Sequence, residues 1–217
     1  MLTDQLYKEV YQFNDMPRAE NLCNEIITYL LDLPRNGYMP SDVGARADLA
    51  RMLWYDTADA LDRSSHSLPT AEEKRSMIYN ALVPTPTEEQ APHGYRLFMQ
   101  PRIGETQTEQ KTELRIFMGE TYPVSDYRAK QAIEFQILCG MSLDTMAGGI
   151  SRSYYMQLCL IRALNGVDIG GGSNTIHFNR EFYHFSGSEY FNDGRFNVGY
   201  YLRMATEFNT SGEDTIR

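Results

Sequence analysis

The spacing of apolar residues changes character partway along the chain. Up to about Val83 they recur every three or four residues, and from Tyr95 onward they mostly alternate with polar ones. Steps of three or four gather side chains on one face of a helix, whereas steps of two gather them on one face of a strand. Leu22, Ile26, Ile27, Leu30 and Leu31 therefore predict a first helix, with Pro17 in its tolerant first turn and Pro34-Arg35-Asn36-Gly37 as its end. A second helix starts at Ser41 and turns Ala47, Leu49, Ala50, Leu53, Trp54, Ala58 and Leu61 inward. Thr70-Ala71-Glu72-Glu73 opens a third as a capping box, a hydroxyl with Glu three residues on, after which Met77, Ile78 and Leu82 face the core.

Pro84, Pro86 and Pro92 mark an extended connector over 84–94, because proline removes donors and disfavours helix in the residue before it. Beyond it, Tyr95, Leu97 and Met99 alternate with Arg96, Phe98 and Gln100, and Leu114 to Met118 resumes after the polar stretch 102–112. Two antiparallel strands joined by a long loop fit this pattern. Ala132 to Cys139 is the cleanest strand, with Glu134 and Gln136 on its wet face. Residues 151–164 read as a helix capped by Ser151, carrying Tyr154, Leu158, Ile161 and Ala163 or Leu164 in one stripe and closed by Asn165-Gly166. After three glycines at 170–172 come strand-like runs at 176–178, 182–185 and 196–208, the last entered through the turn residues Asn192-Asp193-Gly194. The expected fold class is α+β: a helical region (1–83), the connector (84–94), and an α+β domain (95–208). That domain is a mainly antiparallel sheet packed on one long helix in the order β-β-β-α-β-β, followed by a flexible tail (209–217).

Charge narrows the function. The formal net charge is −9, and an acidic protein repels phosphate backbones, so sequence-specific DNA binding is disfavoured. A protein past which DNA must slide without sticking carries this sign of charge. Cys23, Cys139 and Cys159 are odd in number and lie in apolar stretches, as reduced buried thiols do. The first residues mix Asp4, Lys8 and Glu9 among apolar ones, unlike a signal peptide, and no apolar run approaches the roughly 20 residues of a spanning helix. A soluble protein without a membrane partner is expected.

The candidate chemistry is thin. The triple glycine follows a helix and precedes a strand, the wrong polarity for a phosphate loop. His177, Glu181 and His184 have a metal-like spacing but straddle a turn, so a structural role is preferred; His66 and His93 have no partner in view. No nucleophile elbow is present and no cysteine has a nearby histidine. No catalytic residue, cofactor or metal ligand is therefore assigned, and the chain is not read as an enzyme. Fifteen Tyr and ten Phe are many for this length, and aromatic residues serve sheet packing or protein interfaces equally well. The segment 187–192, with Tyr190 and Phe191, is expected to be a surface loop presenting aromatics. The connector 120–128, with Tyr122, Tyr127 and Arg128, is expected to contact a neighbouring copy.

The run Thr112-Glu113-Leu114-Arg115-Ile116, then Tyr122-Pro123-Val124, then 127–139, with Ser151-Arg152-Ser153 leading into the helix and Ile176-His177-Phe178 beyond, resembles phage neck and tail-terminator proteins. The resemblance covers roughly 95–205 and is one of layout; the helical first 83 residues depart from the compact terminator pattern. It implies a structural virion protein of the head-tail junction, assembled in the host cytoplasm. Such a protein is a ring homo-oligomer in contact with portal, neck or tail proteins, with DNA passing through its lumen unread. Tyr122, Tyr127, Arg128, Tyr190 and Phe191 are the expected subunit-interface residues. The alternative is an intracellular protein-binding module that uses its aromatic C-terminal surface.

Overall fold

The computed structural model describes residues 16–33, 41–100, 110–125, 128–169, 175–192 and 197–209. Three helices precede the sheet: α1 (Met16–Leu30), α2 (Ala45–Trp54) and the short α3 (Ala71–Ser76). Strands β1 (Leu97–Phe98), β2 (Thr112–Ser125) and β3 (Arg128–Gly140) follow, then α4 (Met141–Asp144), α5 (Arg152–Leu164), β4 (Val167–Asp168), β5 (Thr175–Ile176), β6 (Gly187–Asn192) and β7 (Asn197–Asn209). The main sheet has the order β1-β2-β3-β7-β6, and β4 pairs with β5 separately. The chain is thus α+β with a mixed five-stranded sheet.

The first helix is where the apolar spacing puts it, with Leu22, Ile26, Ile27, Leu30 and Leu31 all buried. Its expected end at Pro34 lies outside the described residues. The second helix is shorter than expected. It stops at Trp54, so Ala58 and Leu61 lie in the following loop, where Ala58 O accepts from Ala147 N at 2.7 Å. The capping box at Thr70 forms as expected, with Glu73 Oε2 accepting from Thr70 N at 2.7 Å. Leu82, however, is 91% exposed, because the helix has already ended at Ser76.

The expected hairpin of β1 and β2 is not formed: the two strands run parallel, with Leu97 beside Leu114. Buried Arg96 explains the difference. Its guanidinium pairs with Asp56 at 2.5 Å, its carbonyl accepts from Leu114 N, and Leu97 also bridges Ile78 in parallel, which fixes the direction of entry. Of the loop expected over 102–112, residues 102–109 lie outside the described residues, and Thr112 already belongs to β2.

Strand β3 occupies the centre of the sheet, between β2 and β7. Its odd positions Ile133, Phe135 and Ile137 join Leu114, Ile116, Leu202 and Met204 in one core with helices α1, α2 and α5. Its even face is not simply wet: Gln136 is buried and Leu138 is 1% exposed, while Glu134 pairs with Arg203 at 2.6 Å. The long-helix reading is also revised. Helix α5 is capped by Ser151, which accepts from Tyr154 N, but it buries Met156, Cys159, Leu160, Ala163 and Leu164 while Tyr154 is exposed. Gly166, at φ 79°, ends it in the left-handed conformation that glycine tolerates.

Buried arginines join the helical layer. Arg152, at the first turn of α5, is fully buried and donates to Leu143 O, Met52 O, Tyr55 O and Thr57 O. These include carbonyls at and just beyond the C-terminal end of α2, which a helix cannot satisfy within itself.

Candidate interaction surfaces at two ends of the sheet

At one end of the sheet β2 and β3 run on as a hairpin whose last described rung is Ser125 opposite Arg128. The expected connector loop is therefore strand over most of its length; Tyr127 lies outside the described residues. Register shifts fall between Met118 and Thr121 and between Pro123 and Ser125. Such bulges, like a proline in the strand, discourage another chain from pairing along this flank. Tyr122 is 42% exposed, and Arg128, largely exposed, pairs with Glu207 across to β7 at 2.7 Å.

The run 182–185, expected as strand, belongs instead to a loop folded over the even face at this end. Its flanks sit two rungs apart on one edge of β7, since His177 bridges Ala205 and Gly187 pairs with Arg203. A loop that leaves and rejoins at one place is an Ω-loop. Inside it, Tyr183 N donates to Asn179 O at 2.9 Å and Ser186 N to Tyr183 O at 2.8 Å. Lys130 of β3 donates to Phe182 O and holds its ammonium 4.3 Å above the Phe182 ring. Tyr183 is buried against Ala132 and Ala205. Tyr122 meets the loop edge-on, 6.1 Å from Tyr183 and 5.5 Å from His184, and Phe185 lies tilted against His184 at 4.0 Å. The exposed surface of this cluster is Tyr122, His184 and Phe185.

At the other end lies β6. The segment 187–192, expected as a loop, is an edge strand paired only with β7 among the described residues. Its alternation sends Tyr190 to the helix side, where it meets Tyr200 at 5.5 Å, which in turn meets Tyr154 at 5.9 Å. Phe191 goes to the opposite face and packs on Tyr201 at 4.8 Å. Tyr190 is 53% exposed. The expected interface residues are thus not gathered into one site. Tyr122 aligns with Glu207 and Tyr190 with Tyr200, and seven residues of β7 at about 3.3 Å each separate them by roughly 23 Å.

Other candidate chemistry resolves into packing. His177 stacks on Phe182 at 4.1 Å while His184 turns to Phe185, so the two rings serve different neighbours, and no group of three His, Cys, Asp or Glu able to hold a metal occurs among the described residues. His66, expected to have no partner, donates from Nε2 to Asp59 Oδ1 at 2.9 Å, and His93 meets Trp54 edge-on at 4.3 Å. All three thiols are buried, and burial pushes Cys23 up to about 11 and Cys139 and Cys159 to about 12. No helix among the described residues is long and apolar enough to cross a membrane.

Fold and surfaces together define an α+β protein whose prominent outward features are an edge strand with one strand partner among the described residues and an aromatic loop. A family model, YomW, matches residues 47–206, and the chain belongs to the YomW family. That name points to phage origin without stating a place in a particle. No curated protein matches the chain.

Proposed function

We propose that the chain is a structural protein of a phage particle, one copy of a ring at the head-tail junction through which DNA passes. The observation that carries this reading is the outer edge of β6, which has no strand partner among the described residues and at which two aromatic contacts end, one on each face. An edge strand of this kind is a template for a strand of another chain. Strand direction favours copies in the same orientation. β6, β7, β3 and β2 alternate in direction, so the β6 of one copy would lie antiparallel to the β2 flank of the next, meeting it through side chains where the bulges and Pro123 interrupt backbone pairing. Beyond Arg115 that flank has no strand partner among the described residues. A head-to-tail contact is the kind that closes into rings. The net charge of −9 suits a lumen that DNA must traverse, and the family's phage-derived name fits the setting. The ring would be a virion component, in contact with portal, neck or tail proteins.

The test is solution mass by light scattering across a concentration series, for the natural chain and for Tyr190→Lys. Closed assemblies that fall to monomer in the variant, with its circular dichroism unchanged, support the proposal. If both remain monomeric at every concentration, self-assembly through β6 is refuted. The exposed cluster of Tyr122, His184 and Phe185 then becomes the favoured contact site of a protein-binding module.

A further inference from the structure

Tyr183 and Ser186 are the buried residues of the Ω-loop, each 2% exposed, and the Tyr183 ring fills a slot floored by Ala132 and Ala205, both fully buried. The floor is made of small residues from two adjacent strands, Ala132 opposite Ala205. Beside it, Glu134 pairs with Arg203, and Arg203 extends over Phe185 at 5.9 Å. The attachments are local. His177 and Ala205 exchange backbone hydrogen bonds at one root, and Lys130 grips Phe182 by its carbonyl and its ring. Against these attachments stands a defect: the Tyr183 hydroxyl and the Ser186 hydroxyl are both buried without a hydrogen-bond partner among the described residues. A buried hydroxyl that gives up water and finds no partner opposes the state that buries it. Burial, with Glu120 nearby, also raises the Tyr183 phenol pKa above its ordinary value.

We propose that the loop 178–186 is a releasable plug, in which Tyr183 occupies the Ala132–Ala205 slot, Lys130 holds the loop down, and the unpartnered hydroxyls bias it toward opening. Opening restores water to both hydroxyls and uncovers a slot one aromatic ring wide, flanked by Lys130 and the Glu134–Arg203 pair. The proposal is independent of the oligomeric state.

Two substitutions in the chain separate this device from a loop that is simply part of the core. Lys130→Met keeps the aliphatic stem but removes the grip; Tyr183→Phe keeps the ring but removes one defect. Hydrogen exchange followed by mass spectrometry reads both, with peptides covering 177–187 as probe and peptides covering 133–138 and 198–204 as control. The expected result is opposite in sign. Exchange over 177–187 rises about tenfold in Lys130→Met and falls about fivefold in Tyr183→Phe, and the control peptides stay unchanged. Unchanged or faster loop exchange in Tyr183→Phe would overturn the proposal, since the hydroxyl would then be satisfied. So would a rise in Lys130→Met that extends equally to the control peptides, which would make the loop part of the core.

Discussion

Replacing Arg152 with Met tests how the helical layer is held together. The arginine is fully buried, and its guanidinium donates to Leu143 O at 3.0 Å, Met52 O at 2.9 Å, Tyr55 O at 2.7 Å and Thr57 O. No carboxylate is bonded to it in this set; the acceptors are carbonyls, several of them from the C-terminal end of α2, where the helix dipole places partial negative charge. A hydrogen bond to a charged group contributes about 1.5–3 kcal/mol net. Four of them would sum to more than is expected, because burial penalises the guanidinium and lowers its pKa. A buried carbonyl left without its donor costs about 1–3 kcal/mol, so losing the donor to these four, offset by the removed burial cost of the guanidinium, should cost about 3–5 kcal/mol in Arg152→Met. For a chain of this size it lowers Tm by roughly 6–20 °C. Thermal and urea melts followed by circular dichroism give the value. Arg152→Lys keeps the charge but loses the fork, so it should fall between the two. A loss below about 1 kcal/mol for Arg152→Met would refute the reasoning, since the carbonyls would then find other partners without cost.

Gly199 of β7 offers a sharper steric test. A Cβ there would lie 1.8 Å from Ile137 O and 2.9 Å from the Phe191 ring, so Gly199→Ala should force β3 and β7 apart and cost at least about 3 kcal/mol in a urea melt. A cost under about 1 kcal/mol would mean that the strands can separate freely. The turn 57–66 carries a pH dependence. Hydrogen bonds from His66 and Thr57 lower the Asp59 pKa, and those from Ser64 and Ser65 lower that of Asp62. Both carboxyls bind protons less readily folded than unfolded, so the turn's contribution is present above their ordinary values and lost as pH falls through the folded ones. The Ser64 amide, bonded to Asp62 Oδ1 at 2.9 Å, should titrate by NMR with a midpoint below the ordinary aspartate value; one at or above it would contradict the assignment.

What the sequence made legible was local. The helix at 16–30, the capping box at Thr70, the Ser151 cap and the long strands β3 and β7 each rest on a repeat or a cap within a few residues, and each forms. What it hid depends on distant partners. Arg96 reads as a polar residue alternating along a strand, yet Asp56, 40 residues away, and the carbonyls of His93 and Thr112 hold it inside where β1 runs parallel to β2. Arg152 reads as part of a helix start, yet three of its four acceptors lie nearly 100 residues back. Aromatic alternation at 182–185 mimics a strand because Phe182 and Tyr183 do face inward, against Lys130 and the alanine slot, but from a loop. Of the expected contact residues, Tyr122, Arg128 and Tyr190 reach the surface and Phe191 is half-buried. Their separation into two ends was beyond reach, since it follows from the register of β7.

That separation constrains assembly. Contacts at β6 and at the β2–β3 hairpin would both act through β7, the strand that β3 and β6 share, so their relative orientation is fixed by the sheet itself. Adjacent strands rotate by roughly 20–25° each, and three steps carry β2 to β6, which sets about 60–75° between the two flanks. A head-to-tail contact made with that rotation closes only if the interface offsets it; otherwise it grows as an open helix. The bulges and Pro123 weigh on this choice, because they deny continuous backbone pairing along distal β2 and leave its contacts to side chains such as Tyr122 and Arg128. Side-chain contacts allow the angle that closure requires. A ring built this way shows one mass over a wide range of concentration, whereas a sheet extended strand by strand shows a mass that climbs with it.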